Sequence, residues 1–414
     1  MTVSTLPDNI LDPGIFPAEH GPPHALFAKW REDSPVHWNP ANPEYKPNVP
    51  NSSMHNGFWV LTRHADVVAV SMDQERFSSF EGGFMIWDLN EIELMRLRAN
   101  FMGMRPADHA GVKKVILSYF GPKAIQQLLP EIKRLAKEIV DQFADKGSCE
   151  FVVDIASKLP VYTFCELMGI PASYRDEVVH LGNEMADVET WGDKPMDPQR
   201  RLFEIAMEIA ELKRRDPDGG LMTAIVNDER LGLEPLSIAT LFSTFAVAGH
   251  ETTRSTAAHF IQLMNEFPDQ YALLRSDVDA HLANAIEEVL RYTAPTTNFR
   301  RTATCDTQIG GFDVKKGDKI YLSFSAASRD PAVFEYPDTF DITRCNARKH
   351  LAFGIGPHVC IGARLAREQL HALLREIVTR IPDIRPSGEP EWLRSIWFNA
   401  ITRLPVEFTP ERAG

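Results

Sequence analysis

The stretch FGIGPHVCIG (353–362) packs three glycines, a proline and a histidine around one cysteine, and a strongly helical run follows at once. In ARLAREQLHALLREIV the apolar positions Leu365, Ala366, Leu370, Leu373, Leu374 and Ile377 form one helix face. A helix that begins just after Cys360 directs its free N-terminal amides and positive dipole end at the sulfur, which favours the thiolate. Gly354, Gly356 and Gly362 let the backbone approach a flat ligand where a Cβ would clash. Phe353 supplies an apolar wall, and His358 stands two residues before the sulfur, in reach of an acidic group on that ligand. A thiolate, a flat face and a cation together are what an axially ligated haem requires.

Outward from this loop the chain reads as mainly helical. The segment 236–267, LSIATLFSTFAVAGHETTRSTAAHFIQLMNEF, is bracketed by Pro235 and Pro268. As one helix it would span about 48 Å, and its apolar middle predicts burial. Further helices are expected over 64–73, over 108–143 and over RLFEIAMEIAELKRR (201–215), with two short ones before Pro295. FWVLT (58–62) reads as a strand, and IGGFDVKKGDKIYL (309–322) as a hairpin with Gly-Gly and Lys-Gly turns. The expected fold class is mainly α with small β-sheets, an α+β architecture with one long central helix. No linker divides it, so residues 1–414 are expected to form one domain, with 1–57 as an irregular arm rich in Pro, Asn and His.

Composition narrows the function classes. The net charge of −13 argues against a nucleic-acid partner. MTVSTLPDN carries no basic leader, and no run approaches the roughly 18 apolar residues of a membrane span. A cytoplasmic protein is expected. The five cysteines (Cys149, Cys165, Cys305, Cys345 and Cys360) are scattered and odd in number, which suits a reducing compartment, and four of them read as small apolar residues.

The pattern Phe-x-x-Gly-x-His-x-Cys-x-Gly, met by Phe353, Gly356, His358, Cys360 and Gly362, resembles the haem-binding loop of the cytochrome P450 family of haem-thiolate monooxygenases. Two further segments share that family's order. In AIEEVLRYTAP, Glu288 and Arg291 lie three apart on one helix face, as in any i,i+3 pair; the resemblance implies a buried structural triad with Arg344 of FDITR. In AGHETT, Thr252 can turn its hydroxyl to the carbonyl of Ala248, and Gly249 weakens the helix locally. Such a defect is a kink, or a polar notch for dioxygen and a water. The resemblance implies the notch, with Ala248 and Gly249 over the haem and with Thr252 and Glu251 delivering protons. His250 and Arg254 are expected to face away, Arg254 in reach of Glu251.

The resemblance further implies that haem b is bound through Cys360 and that its propionates are clamped by His358, His109 and Arg301. Lys113 stands where the family places an arginine; a lysine neutralises a propionate as a point charge without forking onto it. The implied pocket draws on separate segments: Phe84, Met85, Trp87 and Phe101 after FSS; Leu241 and Phe245 on the long helix. Thr296, Thr297 and Phe299 follow Pro295, and Trp397 and Phe398 lie in a late turn. These are mainly apolar, which suits an apolar substrate, with a small terpenoid as the lead.

The implied reaction is insertion of one oxygen atom of O2 into a C–H or C=C bond. With no reductase fused to the chain, electrons from NAD(P)H would arrive through a ferredoxin reductase and a [2Fe-2S] ferredoxin. The acidic ferredoxin would be drawn to a monomer by Arg344, Arg348, Lys349, Arg364 and Arg367, with Lys113 and Lys114 nearby. The alternatives within the family are steroid, fatty-acid or aromatic hydroxylation. Outside that chemistry stand a peroxide-driven peroxygenase and a haem protein that binds ligands without turnover.

Overall fold

The computed structural model describes residues 8–12, 15, 21–45, 52–186 and 197–411. The segment between the two prolines is one helix of 32 residues, Pro235–Glu266. Pro235 sits in the first turn, where its missing N–H costs nothing, and Pro268 opens the next helix, Pro268–Ser276. Buried side chains run from Ile238 to Met264 on every side, so the helix passes through the core. Helices Lys158–Met168, Arg175–Ala186, Asp197–Arg215, Val278–Thr293 and Ala363–Arg380 pack around it. The helical pattern over 108–143 divides at Gly121 into Pro106–Phe120 and Pro122–Asp141. The second of these buries Ile132, Leu135 and Ile139 and packs along Ala363–Arg380.

The main sheet has five strands in the order Val36–Asn39, Phe58–Leu61, Lys319–Ser323, Asn298–Ala303 and Phe77–Ser78. The hairpin expected over 309–322 is only half formed. Thr307–Ile309 pairs with Phe312–Val314 across Gly310 and Gly311, both at positive φ. Lys319–Ser323 instead enters the main sheet, parallel to Phe58–Leu61 and antiparallel to Asn298–Ala303. Every residue of that strand is buried, so it suits a central position rather than a half-exposed hairpin. The arm is not irregular throughout either. Leu26, Phe27 and Trp30 make a buried face on helix His24–Asp33, and Trp30 stacks on His37 at 3.8 Å. A π-helical turn at Phe151–Ala156 had no signal in the sequence.

One ion network ties the helices to the long loop before the cysteine. Glu288 accepts both Nε (2.7 Å) and Nη2 (2.8 Å) of Arg291, and Nε of Arg344 lies 3.2 Å from each of its oxygens. Arg291 also donates to the carbonyls of Ser328, Pro337 and Thr339, and Arg344 to those of Glu335, Tyr336 and Thr339. Glu288 and Arg291 are wholly buried. The expected triad is therefore assembled in the interior.

A buried imidazole gives the fold an acid limit. His259 is buried on the long helix, 3.0 Å from the carbonyl of Asn399, and burial lowers its pKa to about 4 against that carbonyl's upward pull. The unfolded chain binds this proton near 6.5 and the folded chain does not, so stability is lost as pH falls from about 6.5 towards 4. One such histidine contributes a slope of up to about 1.4 kcal/mol per pH unit. His259→Gln is expected to flatten the fall in unfolding free energy between pH 6.5 and 4.5 by about one proton's worth. An unchanged slope in denaturant titrations would contradict the assignment.

Candidate functional site

Between the long helix and the cysteine loop lies a mainly apolar cavity of about 1360 Å³, its open mouth included. Thr244, Phe245, Ala248, Gly249, Thr252 and Thr253 face it from the helix. Phe353, Gly354, His358, Cys360 and Gly362 face it from the loop, and Phe101, Phe120, Phe164, Thr296 and Phe299 close the sides.

The loop is stiff for stated reasons. Gly354 and Gly356 have φ of 64° and 77°, and a Cβ on Gly356 would stand 2.8 Å from the carbonyl of Ser71. The N–H of Cys360 donates to the carbonyl of Phe353 at 2.8 Å, and Lys113 Nζ donates to that of Pro357 at 2.5 Å. Gly362 differs from Gly354 and Gly356: its φ is −84° and it precedes helix Ala363–Arg380 in an ordinary conformation. The Cys360 sulfur is open to the cavity. Burial pushes the thiol pKa up, while the N–H groups of Gly362 and Ala363 and the charges of Arg367 and Lys113 pull it down.

Beside the cavity gather four basic groups, His109, His358, Arg301 and Lys113. The rings of His109 and His358 lie 4.3 Å apart, with Phe101 stacked on His109 at 4.4 Å. Arg301 is buried; it donates to the carbonyl of Arg300 at 2.8 Å and has no carboxylate partner among the described residues. Burial lowers its pKa to about 10. Burial, then the neighbouring cations, lower His109 to about 4 and His358 to about 2. Neither ring has an acidic side chain beside it among the described residues. A buried guanidinium without a counter-charge, two imidazoles and an open sulfur around a flat apolar space fit a haem with its propionates. Arg300 turns away, donating to the carbonyl of Trp87 at 2.9 Å.

Thr252 Oγ1 donates to the carbonyl of Ala248 at 2.8 Å, as expected, although the helix is not interrupted at Gly249. A Cβ on Gly249 would meet nothing within 4 Å, so this glycine leaves open space. Glu251 does not line the cavity beside Thr252. It is fully buried, paired with Arg254 Nη2 and hydrogen-bonded by Ser255 Oγ at 2.8 Å, while Arg254 also donates to Asn183 Oδ1 at 2.8 Å. Successive residues on a helix point about 100° apart, which separates the acid from the alcohol.

Of the expected pocket residues, Phe101, Phe245, Thr296 and Phe299 line the cavity, together with Met102. Seven do not. Leu241 lies on the right face but about 16 Å along the helix from Thr252, past the end of the cavity. Phe84 packs edge-on behind Phe299 at 6.1 Å, and Trp87 and Trp397 meet each other at 6.3 Å. Met85 packs against the cluster containing Trp87, and Phe398 sits under Trp397 at 4.6 Å. Thr297 spends its hydroxyl on the carbonyl of Ile396 at 2.6 Å. Phe120, Phe164 and Thr244 line the cavity without having been expected there. Thr244 sits one turn before Ala248, a spacing that was available in the sequence. The basic surface is also smaller than expected. Arg344 belongs to the buried triad, Arg367 is tied to Glu287 and Lys113 to Pro357, which leaves Lys114, Arg348, Lys349 and Arg364 exposed.

The family model for cytochrome P450 matches residues 204–382. A steroid C26-monooxygenase from Mycolicibacterium smegmatis is 32% identical, over 92% of this chain and 90% of its own. The chain is a cytochrome P450. Linalool 8-monooxygenase from Pseudomonas putida is 30% identical over 94% of this cytochrome P450 and 96% of its own length. A Mycobacterium marinum cytochrome P450 in complex with pseudoionone superposes with a TM-score of 0.86 at 32% identity, covering 93% and 94% of the two chains. Family membership makes this cytochrome P450 a haem-dependent monooxygenase, with the family's helical fold and small sheets. No helix among the described residues is long and apolar enough to cross a membrane.

Proposed function

We propose that this cytochrome P450 holds haem b by the thiolate of Cys360 and hydroxylates a small apolar substrate, with a terpenoid as the leading class. The observation that carries the reading is the single open sulfur facing Thr252 across an apolar cavity with Arg301, His109, His358 and Lys113 beside it. Phe353, Gly356 and Gly362 shape the sulfur side of the slot, and Ala248 and Gly249 the other. Bound there, haem supplies the iron that activates O2 and inserts one of its oxygen atoms into the substrate.

The chain's own part is to bind, orient and deliver protons. The Thr252 hydroxyl holds a proton at the cavity face, and Glu251 stands behind it as the reservoir. Glu251 has to part from Arg254 and Ser255 to turn towards Thr252, so the pair acts as a gate. Thr252→Ala is expected to keep consuming reductant while product per electron pair falls by about tenfold or more. Equal product yield in a coupled assay would remove Thr252 from the proton route.

The walls supplied by Phe101, Phe245 and Phe299 favour a compact apolar ligand. Of the polar side chains at hand, Thr244 is already engaged: its Oγ1 donates to the carbonyl of Thr240 and accepts from Asn100 Nδ2. The linalool 8-monooxygenase relative and the pseudoionone-bound structure support a terpenoid, while the steroid C26-monooxygenase relatives support a steroid side chain as the second reading. A spin-state titration of purified ferric protein is expected to show acyclic or monocyclic terpenoids driving the low- to high-spin change. A response to sterols alone would replace the lead with the second reading.

Electrons are proposed to come from NAD(P)H through a ferredoxin reductase and a [2Fe-2S] ferredoxin. On the sulfur side of the molecule Lys114, Arg348, Lys349 and Arg364 are exposed, with the apolar side chains of Met72, Leu117 and Val359. A small basic surface with apolar spots suits a weak, charge-steered encounter.

A further inference from the structure

We infer that Glu287 is a positioning residue for the Cys360 loop, holding the chain before and after the sulfur and fixing Arg367 beside it; this rests on Cys360 being the iron ligand. Glu287 neighbours the triad's Glu288 on helix Val278–Thr293 but takes a separate set of partners. Arg367 forks onto it, Nε to Oε1 at 2.6 Å and Nη2 to Oε2 at 3.0 Å. His350 Nε2 lies 3.1 Å from Oε2, and Arg348 Nε lies 3.5 Å from Oε1. His350 Nδ1 accepts the N–H of Ala352 at 3.1 Å, so the ring proton sits on Nε2 and is donated to Glu287.

These contacts converge on the sulfur from two directions. Ala352 faces the cavity and precedes Phe353, whose carbonyl takes the N–H of Cys360. Arg367 belongs to the helix that starts three residues after Cys360, and its guanidinium covers the Phe353 ring at 4.5 Å. One carboxylate thus clamps both approaches to the loop. Glu287 is 1% exposed; burial opposes its charge, yet the bonds from His350 and Arg367 hold its pKa at about 2. Buried ion pairs seldom add net stability over apolar packing, and the triad already fastens this helix to the loop. Placement of the sulfur is what this second network adds.

The test uses purified haem-loaded protein: the parent, Glu287→Gln, Arg367→Lys and the double variant. Read out are the fraction of reduced carbon monoxide adduct that shows the red-displaced band of sulfur coordination, the ferric/ferrous midpoint potential and the unfolding midpoint. Each single variant is expected to raise the fraction lacking the band at least threefold. The double is expected to match the worse single, because both break one fork. Glu287→Gln removes a negative charge near the sulfur and should raise the potential, and Arg367→Lys should shift it less. If Glu287→Gln does not fold, Arg367→Lys decides the matter alone. Unchanged band and potential, or strictly additive losses, would overturn the inference. A parent protein without the band would instead overturn the ligand assignment of Cys360.

Discussion

Serine in place of Cys360 is expected to give a folded protein whose reduced carbon monoxide adduct has no red-displaced band and which forms no product. The hydroxyl is nearly the thiol's size, and the loop is held by backbone contacts that do not involve the sulfur: Cys360 N–H to Phe353, Gly354 N–H to Leu351 and Val359 N–H to Gly356. The fold therefore has no reason to fail. What is lost is an ionisable soft donor, because a serine hydroxyl stays protonated where the amides of Gly362 and Ala363 favour a thiolate. Far-UV circular dichroism alongside the carbon monoxide spectrum separates the two effects. A persisting band in the variant would mean that another residue ligates the iron.

Arg291→Lys is expected to be nearly as severe, by a different route. A lysine keeps the charge but cannot fork onto Glu288 while also reaching the carbonyls of Ser328, Pro337 and Thr339. Glu288, wholly buried, would be left with Arg344 as its remaining strong partner. Breaking a buried pair of this kind costs about 3–5 kcal/mol, a large share of the roughly 5–15 kcal/mol that keeps a domain folded. The expected outcome is aggregated or haem-poor protein on expression. A variant purified at parental yield with an unchanged unfolding midpoint would show that the network is dispensable.

Much of this molecule was legible in its sequence, wherever local pattern and chemistry coincide. The long helix announces itself because Pro235 and Pro268 bracket an unbroken apolar run. The Cys360 loop is marked by glycines, two of which need positive φ. The misses have a common cause, since they depend on what arrives from far away in the chain. Lys319–Ser323 looked like the far half of a hairpin until residues 58–61 and 298–303 flanked it. Arg344 was expected both in the buried triad and on the basic surface, and the approach of Glu288 leaves it only the first place. Leu241 obeys the helical period that Thr252 sets, but periodicity gives direction and not distance.

The triad of Glu288, Arg291 and Arg344 has no member among the residues that line the cavity. Phe101, Phe245, Thr296 and Phe299, by contrast, come from three segments that carry no member of the triad. Trimming one of those walls enlarges a void that already exists instead of opening a fresh one, so it costs less than an ordinary core truncation. The scaffold and the chemistry of choice are thus free to drift apart under selection. A lineage can exchange one hydrocarbon diet for another by a few wall substitutions, without renegotiating how it folds.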